Sequence, residues 1–163
     1  MTKYIVSFIV EDKPGVLFKV SNLFRRRGYN INGITVGTTE VDGLSRMTVT
    51  VDADSRILNQ IVEQLDKMVD VVKVKRLDPV RTISRELLMV KLCTQDPMAR
   101  MDALGIINTF HGLILDIEPE TIVAEITGEP HEIDEFIELV KSIGIEEISR
   151  TGATALERGK LKL

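Results

Sequence analysis

The chain has 163 residues, 44% hydrophobic and 28% charged, with a formal net charge of -4. That length accommodates one ordinary domain or two small ones, and the slight acidic excess lacks the global basic character of a dedicated nucleic-acid binder. A single cysteine, Cys93, excludes an internal disulfide framework and a multi-cysteine zinc site. No apolar run approaches the roughly eighteen residues of a membrane helix, and Met1-Thr2-Lys3 leads into a strand pattern rather than a signal peptide. The expectation is a cytoplasmic protein with neither nucleic acid nor membrane as partner.

The stretch Tyr4–Val10 is rich in β-formers and short, and predicts a strand. From Pro14, the apolar residues Val16, Leu17, Val20, Leu23 and Phe24 fall on one helical face. Pro14 suits the first turn of that helix and Gly28 its C-terminal cap. Two strand-like stretches follow, Ile31–Val36 and Leu44–Val51, on either side of a polar, glycine-containing loop. A second helix has Ile57, Leu58, Ile61, Leu65 and Met68 on one side, and the valines of Val69–Val74 close the unit as a strand.

A polar, proline-containing link leads into the same order again. Leu87–Cys93 predicts a strand, and Pro97 opens a segment with Met98, Met101, Leu104 and Ile107 at helical spacing, ended by Gly112. Leu113–Ile117 and Thr121–Thr127 pair across Glu118-Pro119-Glu120. Ile133, Phe136, Ile137 and Val140 mark a fourth helix, and Ile145–Ile148 a closing strand. The pattern predicts an α+β chain of two ferredoxin-like βαββαβ units, each an antiparallel sheet with helices on one face. The expected division is an N-terminal domain over residues 1–77, a linker over 78–84 and a C-terminal domain over 85–163. The second face of each sheet then needs a cover, so oligomerisation is expected.

Signals for chemistry are sparse. His111 ends a predicted helix and His131 follows Pro130, neither within a metal-ligand spacing. Cys93 reads as a small apolar residue at a strand end, and Glu118, Glu120, Glu132, Asp134, Glu135 and Glu138 read as solvated. No phosphate-binding glycine loop or nucleophile elbow occurs. Arg25-Arg26-Arg27, in the last turn of a helix, complements its dipole or contacts a phosphate. Binding and regulation remain, catalysis does not; a small enzyme on this scaffold would need titratable groups that the strands do not supply.

Val10-Glu11-Asp12-Lys13-Pro14-Gly15-Val16-Leu17, entering a helix after the first strand of such a unit, resembles the start of an ACT domain, a module that binds amino acids and regulates metabolic enzymes. Further matches lie at Leu23-Phe24-Arg25-Arg26-Arg27-Gly28-Tyr29-Asn30-Ile31, Leu44-Ser45-Arg46-Met47-Thr48, Arg85-Glu86-Leu87-Leu88-Met89-Val90-Lys91 and Ile148-Ser149-Arg150-Thr151-Gly152. Together they resemble the small regulatory subunits of acetohydroxyacid (acetolactate) synthase over about residues 3–159.

The resemblance implies a chain without its own active site. Such a chain binds a large catalytic subunit, raises its activity and confers feedback inhibition by valine or another branched-chain amino acid. No cofactor is expected here; thiamine diphosphate, magnesium and FAD belong to the large subunit. It also implies a homodimer through the ACT domain, with the effector pocket at the interface. The effector residues implied are Asp12, Pro14, Gly15, Val16, Leu17, Asn30 and Ile31. In physical terms, the N–H groups of Gly15, Val16 and Leu17 are candidates for the carboxylate, Asp12 for the ammonium, and Ile31, Val16 and Leu17 for the apolar wall. Local reading alone makes Asp12 a helix cap and Asn30 a turn residue. Leu44, Ser45, Arg46 and Met47 correspond to the family's stretch that contacts the large subunit, with Arg46 an interface anchor or a solvated edge arginine. A freestanding ACT-type sensor of another biosynthetic enzyme or a transcription factor is the alternative.

Overall fold

A computed structural model describes residues Thr2–Leu163. The chain forms two compact units, one of residues 1–83 with Gly152–Leu163, the other of Ser84–Thr151. The first contains β1 (Thr2–Glu11), α1 (Val16–Arg27), β2 (Gly33–Thr38), β3 (Leu44–Ala53), α2 (Ser55–Asp66) and β4 (Val71–Arg76), then a 3-10 turn at Pro79–Arg81. β5 (Thr82–Cys93) leads into the second, with α3 (Pro97–Thr109), β6 (Leu113–Ile117), β7 (Thr121–Gly128), α4 (Pro130–Val140) and β8 (Ile145–Arg150); β9 (Thr154–Glu157) lies in the tail. The sheets run β2-β3-β1-β4 and β6-β7-β5-β8, with antiparallel neighbours in both. The expected pair of βαββαβ units is present.

In the first unit the period-2 alternation of the central strands sends Val6, Phe8 and Val10 of β1 and Met47, Val49 and Val51 of β3 to the helix side. There they meet Val16, Val20 and Phe24 of α1 and Leu58, Ile61 and Leu65 of α2. Burying such side chains supplies roughly 1.5–3 kcal/mol each. The second unit repeats the scheme with Leu88, Val90 and Leu92 against Ile107, Ile133, Phe136 and Val140. Among the described residues no helix is long and apolar enough to cross a membrane.

Four local expectations change. α1 is capped by Gly15, at φ 87°, so Pro14 precedes the helix instead of occupying its first turn. β2 begins at Gly33, leaving Ile31 in the connection before it. In α3, Met98 and Met101 are 68% and 70% exposed, because Ala103 and Ile107, one turn apart, take the inward face. The third helix ends at Thr109 with Phe110 as its cap, so Gly112 does not end it; the left-handed residue is His111 (φ 55°), and a Cβ at Gly112 would meet Ile126 Cδ1 at 2.3 Å.

The tail departs from the expected boundary, since Gly152–Leu163 belongs to the first unit rather than to a domain over 85–163. Its small residues allow close packing: Ala153 and Ala155 are buried, and a Cβ on Gly152 would stand 2.9 Å from Ile34 N. Thr35 Oγ1 donates to Ala153 C=O at 2.8 Å, and Lys75 Nζ pairs with Glu157 at 2.5 Å. The tail thus packs on part of the helix-free face of the first sheet.

Candidate functional site

The β1–α1 turn is built by Gly15. Its left-handed φ lets the chain reverse from strand into helix with no Cβ penalty, and no side chain caps the helix. Val16 N–H is engaged by Lys13 C=O at 3.4 Å, whereas the N–H groups of Gly15, Leu17 and Phe18 have no acceptor among the described residues. The open donors are therefore Gly15, Leu17 and Phe18, not the expected Gly15, Val16 and Leu17. The turn is anchored from behind by Asp12 N–H to Gly43 C=O, 2.8 Å, and Glu11 N–H to Asp70 C=O, 2.9 Å. Asp12 is exposed, and its carboxylate neither caps α1 nor bonds any other described residue. Lys13 Nζ reaches Glu11 at 2.7 Å, and that hydrogen bond and charge raise the ammonium's pKa.

One expected wall residue behaves differently. Val16 is 3% exposed and belongs to the core, so it lines no external pocket. Leu17 and Phe18 instead present apolar surface beside the turn, with Phe18 73% exposed. Phe18 was not singled out from the sequence, although its position two residues from both Val16 and Val20, on the opposite side of the helix, was a readable signal.

Asn30 and Ile31 lie beyond the other end of α1. Gly28, at φ 68°, closes the helix with Tyr29 N–H to Phe24 C=O at 3.0 Å. Tyr29 OH donates to Gln60 Oε1 (2.9 Å) and Asn32 Nδ2 to Asp52 Oδ2 (2.6 Å), which hold the connection on either side. Between them Asn30 is exposed and its amide bonds no described residue, while Ile31 packs against the core edge. The twelve residues of α1 separate Gly15 from Asn30 by about 18 Å, at about 1.5 Å of rise per residue. One chain does not bring these two groups together.

The segment Leu44–Met47 alternates across β3. Ser45 and Met47 are 4% and 2% exposed on the helix side and cannot touch a partner, whereas Leu44 and Arg46 emerge on the helix-free face. Arg46 Nε donates to Ser7 Oγ at 2.9 Å, and Ser7 Oγ lies 3.3 Å from Thr48 Oγ1. No carboxylate lies within ion-pair distance of Arg46 among the described residues. Burial depresses its pKa, opposed by the more distant charges of Glu40 and Glu157. Arg46 lines a cavity of about 480 Å³ with Ile9, Leu44, Val72, Leu156 and Leu161, and a second of about 180 Å³ beside Thr35 and Thr154. Neither Ser7 nor the tail was legible as part of this site; the alternation Ile5-Ser7-Ile9 was the available signal for Ser7.

In the second unit Arg150 is the hub of the ion pairs. Burial lowers its pKa, but hydrogen bonds and charge from Asp134 and Glu86 outweigh that and raise it. Arg150 Nε donates to Glu86 at 2.6 Å and Nη1 to Asp134 at 2.6 Å. These contacts are structural, holding β8 against β5 and α4. No group of three potential metal ligands clusters among the described residues.

Comparison with known proteins bears on both units. Residues 6–73 match the family model described as AHAS small subunit-like ACT domain, and residues 85–159 match that of the small subunit of acetolactate synthase. A probable acetolactate synthase small subunit of Methanothermobacter thermautotrophicus is 46% identical over 156 residues, 96% of this chain and 93% of the relative. The acetolactate synthase small subunit of Bacillus subtilis is 40% identical over 158 residues, covering 96% and 91%. The crystal structure of the acetolactate synthase small subunit from Thermotoga maritima superposes with a TM-score of 0.90 at 39% identity, covering 99% of this chain and all of that one. With two βαββαβ units, an ACT domain in the first and near-full-length identity to these proteins, the chain belongs to the family of acetolactate synthase small subunits.

Proposed function

We propose that this chain is the regulatory subunit that activates a large catalytic acetolactate synthase subunit and makes it sensitive to feedback inhibition by a branched-chain amino acid, valine first. The observation that carries the effector reading is the exposed β1–α1 turn, whose Gly15, Leu17 and Phe18 N–H groups are open to an acceptor. A zwitterion's carboxylate suits those donors at the positive end of α1, its ammonium suits Asp12, and its aliphatic chain suits Leu17 and Phe18. Asn30, with both donor and acceptor, completes the pocket from a second copy, because the length of α1 keeps it from the turn of its own chain. The ACT domains then form a two-fold dimer in which each pocket uses the turn of one copy and the Asn30–Ile31 loop of the other. Pro14 fixes the approach to the turn without offering a donor.

Leu44 and Arg46 are the part of the partner-contact segment that faces outward, and we assign them the contact with the large subunit. Thiamine diphosphate, magnesium and FAD are held there, and the complex is cytoplasmic. Feedback follows from linkage: valine favours the small-subunit arrangement that activates least, so the activated complex binds valine more weakly. The test is to mix the full chain with its large subunit and assay acetolactate formation with and without valine, leucine and isoleucine. Stimulation by the chain and inhibition by valine are expected, with inhibition lost in Gly15→Asp and Asn30→Ala. Unaltered valine sensitivity in both variants overturns the pocket, and absence of stimulation overturns the activator role in favour of a freestanding amino-acid sensor.

A further inference from the structure

The cavity beside Arg46 lies on the helix-free face of the first sheet and shares no lining residue with the Asp12–Phe18 turn. Its size, about 480 Å³, falls within the roughly 300–1,000 Å³ of small-molecule sites. The sheet contributes Ile9, Leu44 and Val72, and the tail contributes Leu156 and Leu161, so the wall is mainly aliphatic. A guanidinium in such surroundings is costly without an anion. Yet the one hydrogen bond of Arg46 among the described residues goes to the neutral Ser7 Oγ, through Nε. Both terminal nitrogens are left for an acceptor, and Ser7 fixes the plane in which they are offered. Lys73 and Lys162 also line the cavity; of the acids there, Glu157 is already paired with Lys75, leaving Glu40.

We propose that this cavity binds a short aliphatic carboxylate lacking an ammonium group, its oxygens paired with the guanidinium of Arg46 and its hydrocarbon chain lying against Ile9, Leu44, Val72, Leu156 and Leu161. The planar fork of arginine matches a carboxylate, and such charge-assisted pairs are the strong class of hydrogen bond. A zwitterion is disfavoured because its ammonium would enter a site already carrying Lys73 and Lys162. The tail forms one wall, so a ligand here joins it to the sheet. This site is independent of the effector pocket proposed at the turn, but it uses Leu44 and Arg46, so the carboxylate and the large subunit compete for this face.

Isothermal titration of the full chain with sodium isovalerate, sodium 2-oxoisovalerate and valine distinguishes the two sites. Saturable binding of isovalerate or 2-oxoisovalerate is expected, weakened at least tenfold by Arg46→Gln and by Val72→Trp, and unchanged in Asn30→Ala. Val72 is exposed, so the tryptophan fills the cavity mouth without touching the core, and it tests the site even where the arginine change impairs folding. No saturable binding of either carboxylate, binding that survives Val72→Trp, or binding abolished by Asn30→Ala overturns the proposal.

Discussion

Arg46 Nε donates to Ser7 Oγ at 2.9 Å across the β1–β3 pair, on the sheet face that carries no helix. Ser7 is fully buried and its hydroxyl is also 3.4 Å from Met47 C=O and 3.3 Å from Thr48 Oγ1. The serine orients the arginine and the strand beneath it. Ser7→Ala removes the acceptor and leaves the arginine Nε unsatisfied, a loss of about 1–3 kcal/mol. Arg46→Met, by contrast, replaces a half-buried unpaired charge with an apolar chain of similar length, and the isolated subunit is expected to keep its stability to within about 1 kcal/mol. Denaturant unfolding of the two variants checks both values, and a stability loss for Arg46→Met larger than that for Ser7→Ala contradicts this account.

The tail is a second place where charge meets an apolar face. Glu157 has a side chain only 5% exposed and pairs with Lys75 at 2.5 Å. Lys75→Met strands that carboxylate, at a cost of about 1–3 kcal/mol, whereas Lys75→Met with Glu157→Leu recovers most of it. Limited proteolysis within residues 152–163 should follow the same order: fast in the single variant, slow in the wild type and the double variant. Equal cleavage of all three would show that the ion pair does not hold the tail.

Two glycines that follow helices separate backbone freedom from space. Gly28 sits at φ 68° with nothing within 4 Å of a built Cβ, so Gly28→Ala meets only the left-handed penalty, about 1–2 kcal/mol. Gly112 is not left-handed, but a Cβ there would strike Ile126 Cδ1 at 2.3 Å and come within 3.1 Å of Glu125 C=O. Gly112→Ala therefore overpacks the second core, for about 1–3 kcal/mol, and Ile126→Val is expected to relieve part of that penalty while giving no relief to Gly28→Ala. Thermal unfolding of the three single and two double variants measures the coupling.

The order of elements was legible because each unit pairs period-2 central strands with 3.6-period helices: Val6, Phe8 and Val10 against Val16, Val20 and Phe24 need no tertiary information. What escaped depended on it. Met98 and Met101 satisfied a helical spacing, but Ala103, small and easily overlooked, seats α3 closely enough to take the inward face. β9 is four residues long and carries no strong apolar alternation; its place follows from Gly152, Ala153 and Ala155 fitting where larger residues would not. The site was half legible. The residue types at Asp12–Leu17 and Asn30 marked a turn and a loop, while Ser45 and Met47 joined the outward-facing Leu44 and Arg46 only because a contiguous motif ignores the alternation of a strand.

The separation of Gly15 from Asn30 by the full length of α1 leads to a test that one chain cannot mimic. In the two-fold dimer proposed above, each pocket takes its turn from one copy and Asn30 from the other. Gly15→Asp homodimers carry the defective turn in both pockets, and Asn30→Ala homodimers lack the amide in both. A heterodimer of the two variants concentrates both defects in one pocket and leaves the other wholly native. Co-refolding equal amounts should restore about one pocket in four, and partial valine inhibition should return when the mixture is combined with the large subunit. A Cβ at Gly15 meets no neighbour, so Gly15→Asp carries only the left-handed penalty of about 1–2 kcal/mol, and the exposed Asn30 amide bonds no described residue, so both variants are expected to refold and exchange. If each pocket were built within one chain, no mixture would contain a native one, and valine sensitivity would stay absent at every ratio.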